Sequence, residues 1–178
     1  VGNSTDIRSL AHANTRIIDA EEGSILPGFI DSHVHLFGGS VELEYLDLYG
    51  VYGLQQLTKT VQDWSKTCFD DAIVFAVNAD YNIVAPGHST TRHDLDEVIS
   101  DRPFAMFAAD HHTIWANTKA LELAGLLSGG SAEKGARIMM SNDGKATGEL
   151  REPGAYGPVL KLTKHGGRDL QGLVAGKN

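Results

Sequence analysis

Cysteine is almost missing from this chain. Cys68 is the single one in 178 residues, so no internal disulfide can form, and such usage fits a reducing compartment. Cys68 also has no histidine beside it in a recognisable nucleophile motif, which argues against a thiol mechanism. Basic residues are outnumbered, 15 against 23 acidic, for a net charge of −8. Without a basic cluster, that balance argues against nucleic acid or an anionic membrane as partner. No apolar run approaches the ~20 residues needed to span a bilayer. No basic-then-apolar stretch opens the sequence either, so a cytoplasmic location is expected. The paired glycines Gly38-Gly39 and Gly129-Gly130 lack the Lys-Ser/Thr that follows a phosphate-binding loop. Internal repeats and low-complexity segments are missing as well.

What is present reads as a globular domain. Hydrophobic content of 42% and charged content of 21% are near globular norms, and the length allows a real core. Leu54, Leu57, Val61 and Trp64 fall at helical spacing and predict an amphipathic helix over 54–66. Short apolar runs at 73–77 and 104–109 predict buried parallel strands. A short helix from Ser4 or Thr5, a strand over 15–19, a strand over 25–36 and a helical turn over 95–100 are also expected. A helix starting at Asn117 or Thr118 should be closed by Gly125. Asn142-Asp143-Gly144 between two apolar stretches predicts a hairpin. Strands alternating with helices point to an α/β fold with a parallel sheet.

The segment Phe29-Ile30-Asp31-Ser32-His33-Val34-His35-Leu36 carries the most chemistry. In a strand, side chains alternate faces, so Asp31, His33 and His35 would share one face and Ile30, Val34 and Leu36 the other. Two imidazoles at that spacing can share one divalent ion. By spacing alone, a half-buried strand with a polar outer face explains them equally well.

Longer motifs narrow the reading. Leu26-Pro-Gly-Phe-Ile-Asp-Ser-His-Val-His35 resembles the first-strand signature of the amidohydrolase superfamily. Three further segments are similar to its amidohydrolase-3 branch, the YtcJ-like group that includes N-substituted formamide deformylase. They are Thr91-Arg-His-Asp-Leu-Asp96 with Asp101-Arg-Pro103, the block Asp110-His-His-Thr-Ile-Trp-Ala-Asn-Thr-Lys-Ala-Leu, and Thr147-Gly-Glu-Leu-Arg-Glu152. The resemblance implies a metal-dependent hydrolase (β/α)8 TIM barrel. Such a barrel needs about 250 residues, so an incomplete portion is expected. Residues 1–24 would end a small β-sandwich, and residues 25–178 would open the barrel and carry an inserted hairpin.

The resemblance also implies roles. His33, His35 and Glu152 would ligate a divalent metal, zinc first, with iron or manganese able to use the same donors. His112 would orient or polarise the substrate carbonyl, while Asp110 and Trp115 would contact substrate. Trp115 could equally be core, and Asn117 a helix cap. Glu149 lies close enough in sequence to be confused with Glu152. The family carries glycine where this chain has His111, whose role stays open. Two later histidine ligands and an aspartate base are expected beyond residue 178. The implied reaction is hydrolysis of a carbon–nitrogen bond in a small-molecule amide by a metal-activated water. A deaminase on the same barrel and a non-catalytic metal-binding scaffold remain alternatives. Self-association of the chain is left open by its residues.

Overall fold

The computed structural model of the protein describes residues 2–19, 21, 23, 26–32, 40–69 and 71–164. The chain divides into two compact units, Val1–Val34 and His35–Asn178. In the first unit, helix α1 spans Ser4–Ser9, and its cap is Asn3, whose Oδ1 accepts from the Asp6 amide at 3.0 Å. The cap therefore falls one residue before the expected start. No strand occurs among this unit's described residues. The strand expected over 15–19 is irregular chain, and the one expected over 25–36 is not formed across 26–32. A strand exists by pairing its backbone with a neighbour, and apolar composition does not supply one. Phe29 and Ile30 are each 98% exposed, so neither face of that segment is covered. His33 and His35 lie outside the described residues.

The second unit holds a six-stranded mixed sheet. Its strands are β1 (Leu46–Asp47), β2 (Val74–Ala79), β3 (Phe104–Ala108), β4 (Thr113–Ala116), β5 (Arg137–Met140) and β6 (Ala146–Arg151), in the spatial order β1-β2-β3-β4-β6-β5. The first three run parallel, as the alternating pattern predicts. The other three pairings are antiparallel; that of β5 with β6 is the expected hairpin, whereas those of β4 with β3 and β6 depart from the parallel expectation. The reason is spacing. The four residues Ala109–His112 that link β3 to β4 suffice for a hairpin, whereas a parallel return needs a crossover of a dozen or more. Among the described residues the strands form a linear row.

Helices α2 (Leu54–Ser65) and α3 (Arg92–Val98) pack on one face of the sheet, and α4 (Thr118–Leu123) and α5 (Pro153–Leu160) belong to the core of the other. Leu57, Val61, Leu95 and Val98 are fully buried on the first face, each contributing about 1.5–3 kcal/mol relative to exposure. Gly125, at φ 72, ends α4 as its position predicts. No helix among the described residues is long and apolar enough to cross a membrane.

Polar side chains lock these layers together. Asn117 is buried and uses its whole amide. Its Oδ1 accepts from the backbone N–H groups of Phe104 and Ala120 at 3.0 and 2.9 Å. Its Nδ2 donates to the carbonyls of Ile99 and Arg102, both at 2.9 Å. Thr91 and Asp94 form a reciprocal capping box at the start of α3, which begins three residues before the expected turn. Asp96 accepts from the Thr118 amide and hydroxyl at 2.9 and 2.6 Å. Arg92, nearly buried, donates to Ala146 O at 2.9 Å and pairs with Asp143 at 3.1 Å, tying α3 to the hairpin. Where α3 meets β6 stands Gly148, at φ 113; a Cβ there would lie 2.5 Å from the Arg92 amide nitrogen. No side chain fits that contact, and L residues rarely adopt that φ.

Candidate active site at the carboxyl edge of the sheet

Topology gathers chain ends on one edge. The parallel strands β1, β2 and β3 all finish there; β4 starts there, and β6, antiparallel to β4, also finishes there. Carboxyl ends of strands are where barrel and open α/β folds place their chemistry. Three non-glycine residues of this unit have positive φ among those described: Asn78 at 60°, His111 at 65° and Glu152 at 67°. All three stand at this edge. Such backbone costs on the order of 1–3 kcal/mol per residue and clusters at functional sites.

The ladder between β4 and β6 brings the two main candidates together. Thr113 pairs with Arg151, so the next positions outward are His112 and Glu152. Their backbones bond, Glu152 N donating to His112 O at 2.9 Å. Their side chains follow, with His112 Nδ1 at 3.2 and 3.3 Å from the two Glu152 carboxylate oxygens. When Nδ1 carries the proton toward Glu152, Nε2 keeps a lone pair for a substrate or a cation. A carboxylate that fixes an imidazole in this way is the usual partner of ligating and catalytic histidines.

The turn between β3 and β4 is held from several sides. Asp110 Oδ1 accepts from the His112 amide at 3.0 Å. The Tyr81 hydroxyl lies 3.2 Å from Asp110 Oδ2, as donor, and 2.9 Å from the Thr113 hydroxyl. Tyr156, on α5, donates its hydroxyl to His111 O at 3.0 Å. The His111 ring stacks on Phe107 with centroids 5.1 Å apart and places Nε2 3.2 Å from Glu42 Oε1. A glycine would take φ 65 freely; these contacts hold a histidine there instead. Burial raises both phenols above their ordinary pKa. The Asp110 charge adds to the effect on Tyr81, against a lowering bond from Thr113, and the Glu152 and Asp110 charges add to it on Tyr156. Both therefore stay protonated donors at neutral pH.

The remaining candidates separate. Trp115 is 2% exposed and packs edge-on against Tyr81 at 4.9 Å, in the core behind the edge. Glu149 faces away from His112; it pairs with Arg151 and sits opposite Trp115 in the ladder, which separates it from Glu152. Tyr81, Tyr156 and Glu42 carry no sequence motif, and Thr113 sits inside the Asp110 block without a role assigned to it. The signal that could have found them is position, just past a strand or helix start. As donors, Glu152 oxygen and His112 nitrogen are of the type that divalent metals accept. Among the described residues, however, no group of three or more His, Cys, Asp and Glu is arranged to hold an ion. The first-strand histidines expected to complete such a set lie outside them.

The model of the amidohydrolase family matches residues 16–176. The chain belongs to the amidohydrolase family, in its amidohydrolase-3 branch. It is 27% identical over 157 residues to the N-substituted formamide deformylase of Arthrobacter pascens, covering 87% of this chain and 29% of that protein. It is 26% identical over 136 residues to YtcJ of Bacillus subtilis strain 168, covering 76% and 26%. A solved metal-dependent hydrolase from Pyrococcus horikoshii is 25% identical, with TM-score 0.48 over 74% of this chain and 23% of that one, too loose a likeness to argue from. The amidohydrolase chain thus spans less than a third of the length of these relatives. Its motif blocks now have separate tasks. Thr91, Arg92, Asp94, Asp96, Asn117 and Gly148 build the scaffold, while Asp110, His112 and Glu152 reach the edge.

Proposed function

We propose that this chain is part of a metal-dependent amidohydrolase that cleaves a carbon–nitrogen bond in a small, non-peptide amide with a metal-activated water. The observation that carries the reading is the meeting of His112 and Glu152 at 3.2 Å on the carboxyl edge, in a chain of this family. His33, His35 and Glu152 are the residues that would hold the ion, with zinc the first choice and iron or manganese suited to the same donors. A divalent cation, when bound, supplies a water of pKa about 7 and polarises the scissile carbonyl. Glu152 fixes the imidazole through Nδ1 and offers its oxygens to the ion. His112 presents Nε2 to the substrate carbonyl. Asp110 holds the turn that carries His112 and is the acid on the substrate side, and Trp115 shapes the pocket from behind Tyr81. A cytoplasmic enzyme acting on a small molecule agrees with the acidic, cysteine-poor composition.

The test is elemental mass spectrometry of the purified protein beside a His33→Ala/His35→Ala variant, with amine release from amide substrates measured in parallel. Near-stoichiometric metal that disappears in the folded double variant is expected. Glu152→Gln should lower metal affinity or turnover about 10- to 100-fold. Full metal content in the double variant, or an unchanged rate in Glu152→Gln, would sink the reading.

A further inference from the structure

A concavity lies on the α3 side of the sheet, between the loop that leaves β2 and the face of β4 and β6. Its volume is about 230 Å³, and its walls include Tyr81, His88, Thr90, Trp115, Glu149 and Arg151. That is slightly below the range of drug-sized sites and suits a small ligand. Four features give it chemical character. Trp115 and Tyr81, set edge-on to each other, supply the aromatic part of its lining. Arg151 spends its Nε on Glu149, and its two terminal nitrogens have no partner among the described residues. The Thr90 hydroxyl is buried without a hydrogen-bond partner among the described residues. His88 is held at the rim by Asp94 at 2.9 Å.

We propose that this hollow binds a small carboxylate with a flat apolar body. A guanidinium has five donors in a fixed fork, and one engaged by Glu149 leaves a pair aligned for a carboxylate. Thr90, in the same lining, keeps a hydroxyl that can donate to such a group. A cation is disfavoured, because the one carboxylate that could receive it, Glu149, already faces the charge of Arg151. A neutral amide satisfies the hydroxyl but not the fork. The site does not depend on amide hydrolysis, and binding alone tests it.

The two tryptophans of the chain separate cleanly, since Trp115 lines the hollow and Trp64 belongs to α2. In a Trp64→Phe background, titration of Trp115 fluorescence with benzoate should saturate. Benzamide and benzylammonium should bind at least about tenfold more weakly. Arg151→Gln should weaken benzoate by about tenfold or more, and Thr90→Val by about two- to tenfold. Glu149→Gln should tighten it, since the competing carboxylate is removed. The proposal is overturned by a folded protein that gives no saturable change with benzoate. Equal response to all three probes, undiminished binding in Arg151→Gln, or weaker binding in Glu149→Gln would overturn it too.

Discussion

The carboxyl edge and the joint around Asn117 are built from residues of the same motif blocks, yet they obey opposite rules. At the joint every polar atom of Asn117 is engaged and none meets water. At the edge, by contrast, His112 is 64% exposed in its side chain, and Glu152 occupies backbone that suits glycine. Satisfied burial marks residues that hold the fold. Exposure combined with a costly backbone marks residues kept for another reason. A motif match by itself cannot make that division, because both kinds of residue recur within a few positions of each other.

The comparison can be broken most severely at the joint. Asn117→Ala leaves two buried amides and two buried carbonyls unpaired, and it should destabilise the protein by about 3 kcal/mol or more. Urea unfolding measures this, and a loss under about 1 kcal/mol would mean the joint is not what it looks like. At the edge the sign should reverse. Glu152→Gly removes an unfavourable φ of 67 and should raise stability by about 1 kcal/mol, while metal binding and any turnover fall. A destabilised Glu152→Gly protein would show that Glu152 is structural after all. The smallest effect concerns acids on the surface, away from both the joint and the edge. Hydrogen bonds from Ser141 and the Lys145 amide, then Arg92, lower the Asp143 pKa to about 2, and bonds from Lys66 and Lys59 lower that of Asp63 to about 2. Both folded values lie below the ordinary 3.8. Their stabilisation is therefore complete above that pH and fades as pH falls toward 2. Acid titration of Asp143→Asn should show a shallower loss across this window than the parent.

Helical spacing made α2 legible, apolar runs made β2 and β3 so, and the Asn142-Asp143-Gly144 turn marked the β5–β6 hairpin. Strand β4 escaped notice. Thr113–Ala116 is four residues long and merges with the motif that starts α4. Helix α5 was equally hidden, since Pro153, Gly154, Gly157 and Pro158 are poor helix formers; Pro153 stands in the first turn, where proline is tolerated, and Pro158 inside the helix. The apolar 26–32 segment erred the other way, having strand composition but no strand. For the site, family motifs supplied His112 and Glu152 as separate names. Their pairing was unreadable, because it depends on how β4 and β6 align across 40 residues of chain.

That alignment has a consequence for assembly. Glu152 follows Arg151, so sliding β6 by one position along β4 would set a guanidinium against the imidazole in place of a carboxylate. The same slip would turn Leu150 outward from its core. The charge opposite His112 therefore reports whether the chain is threaded in register: a misthreaded molecule presents the wrong sign at the edge, and no intermediate alignment offers half of a site.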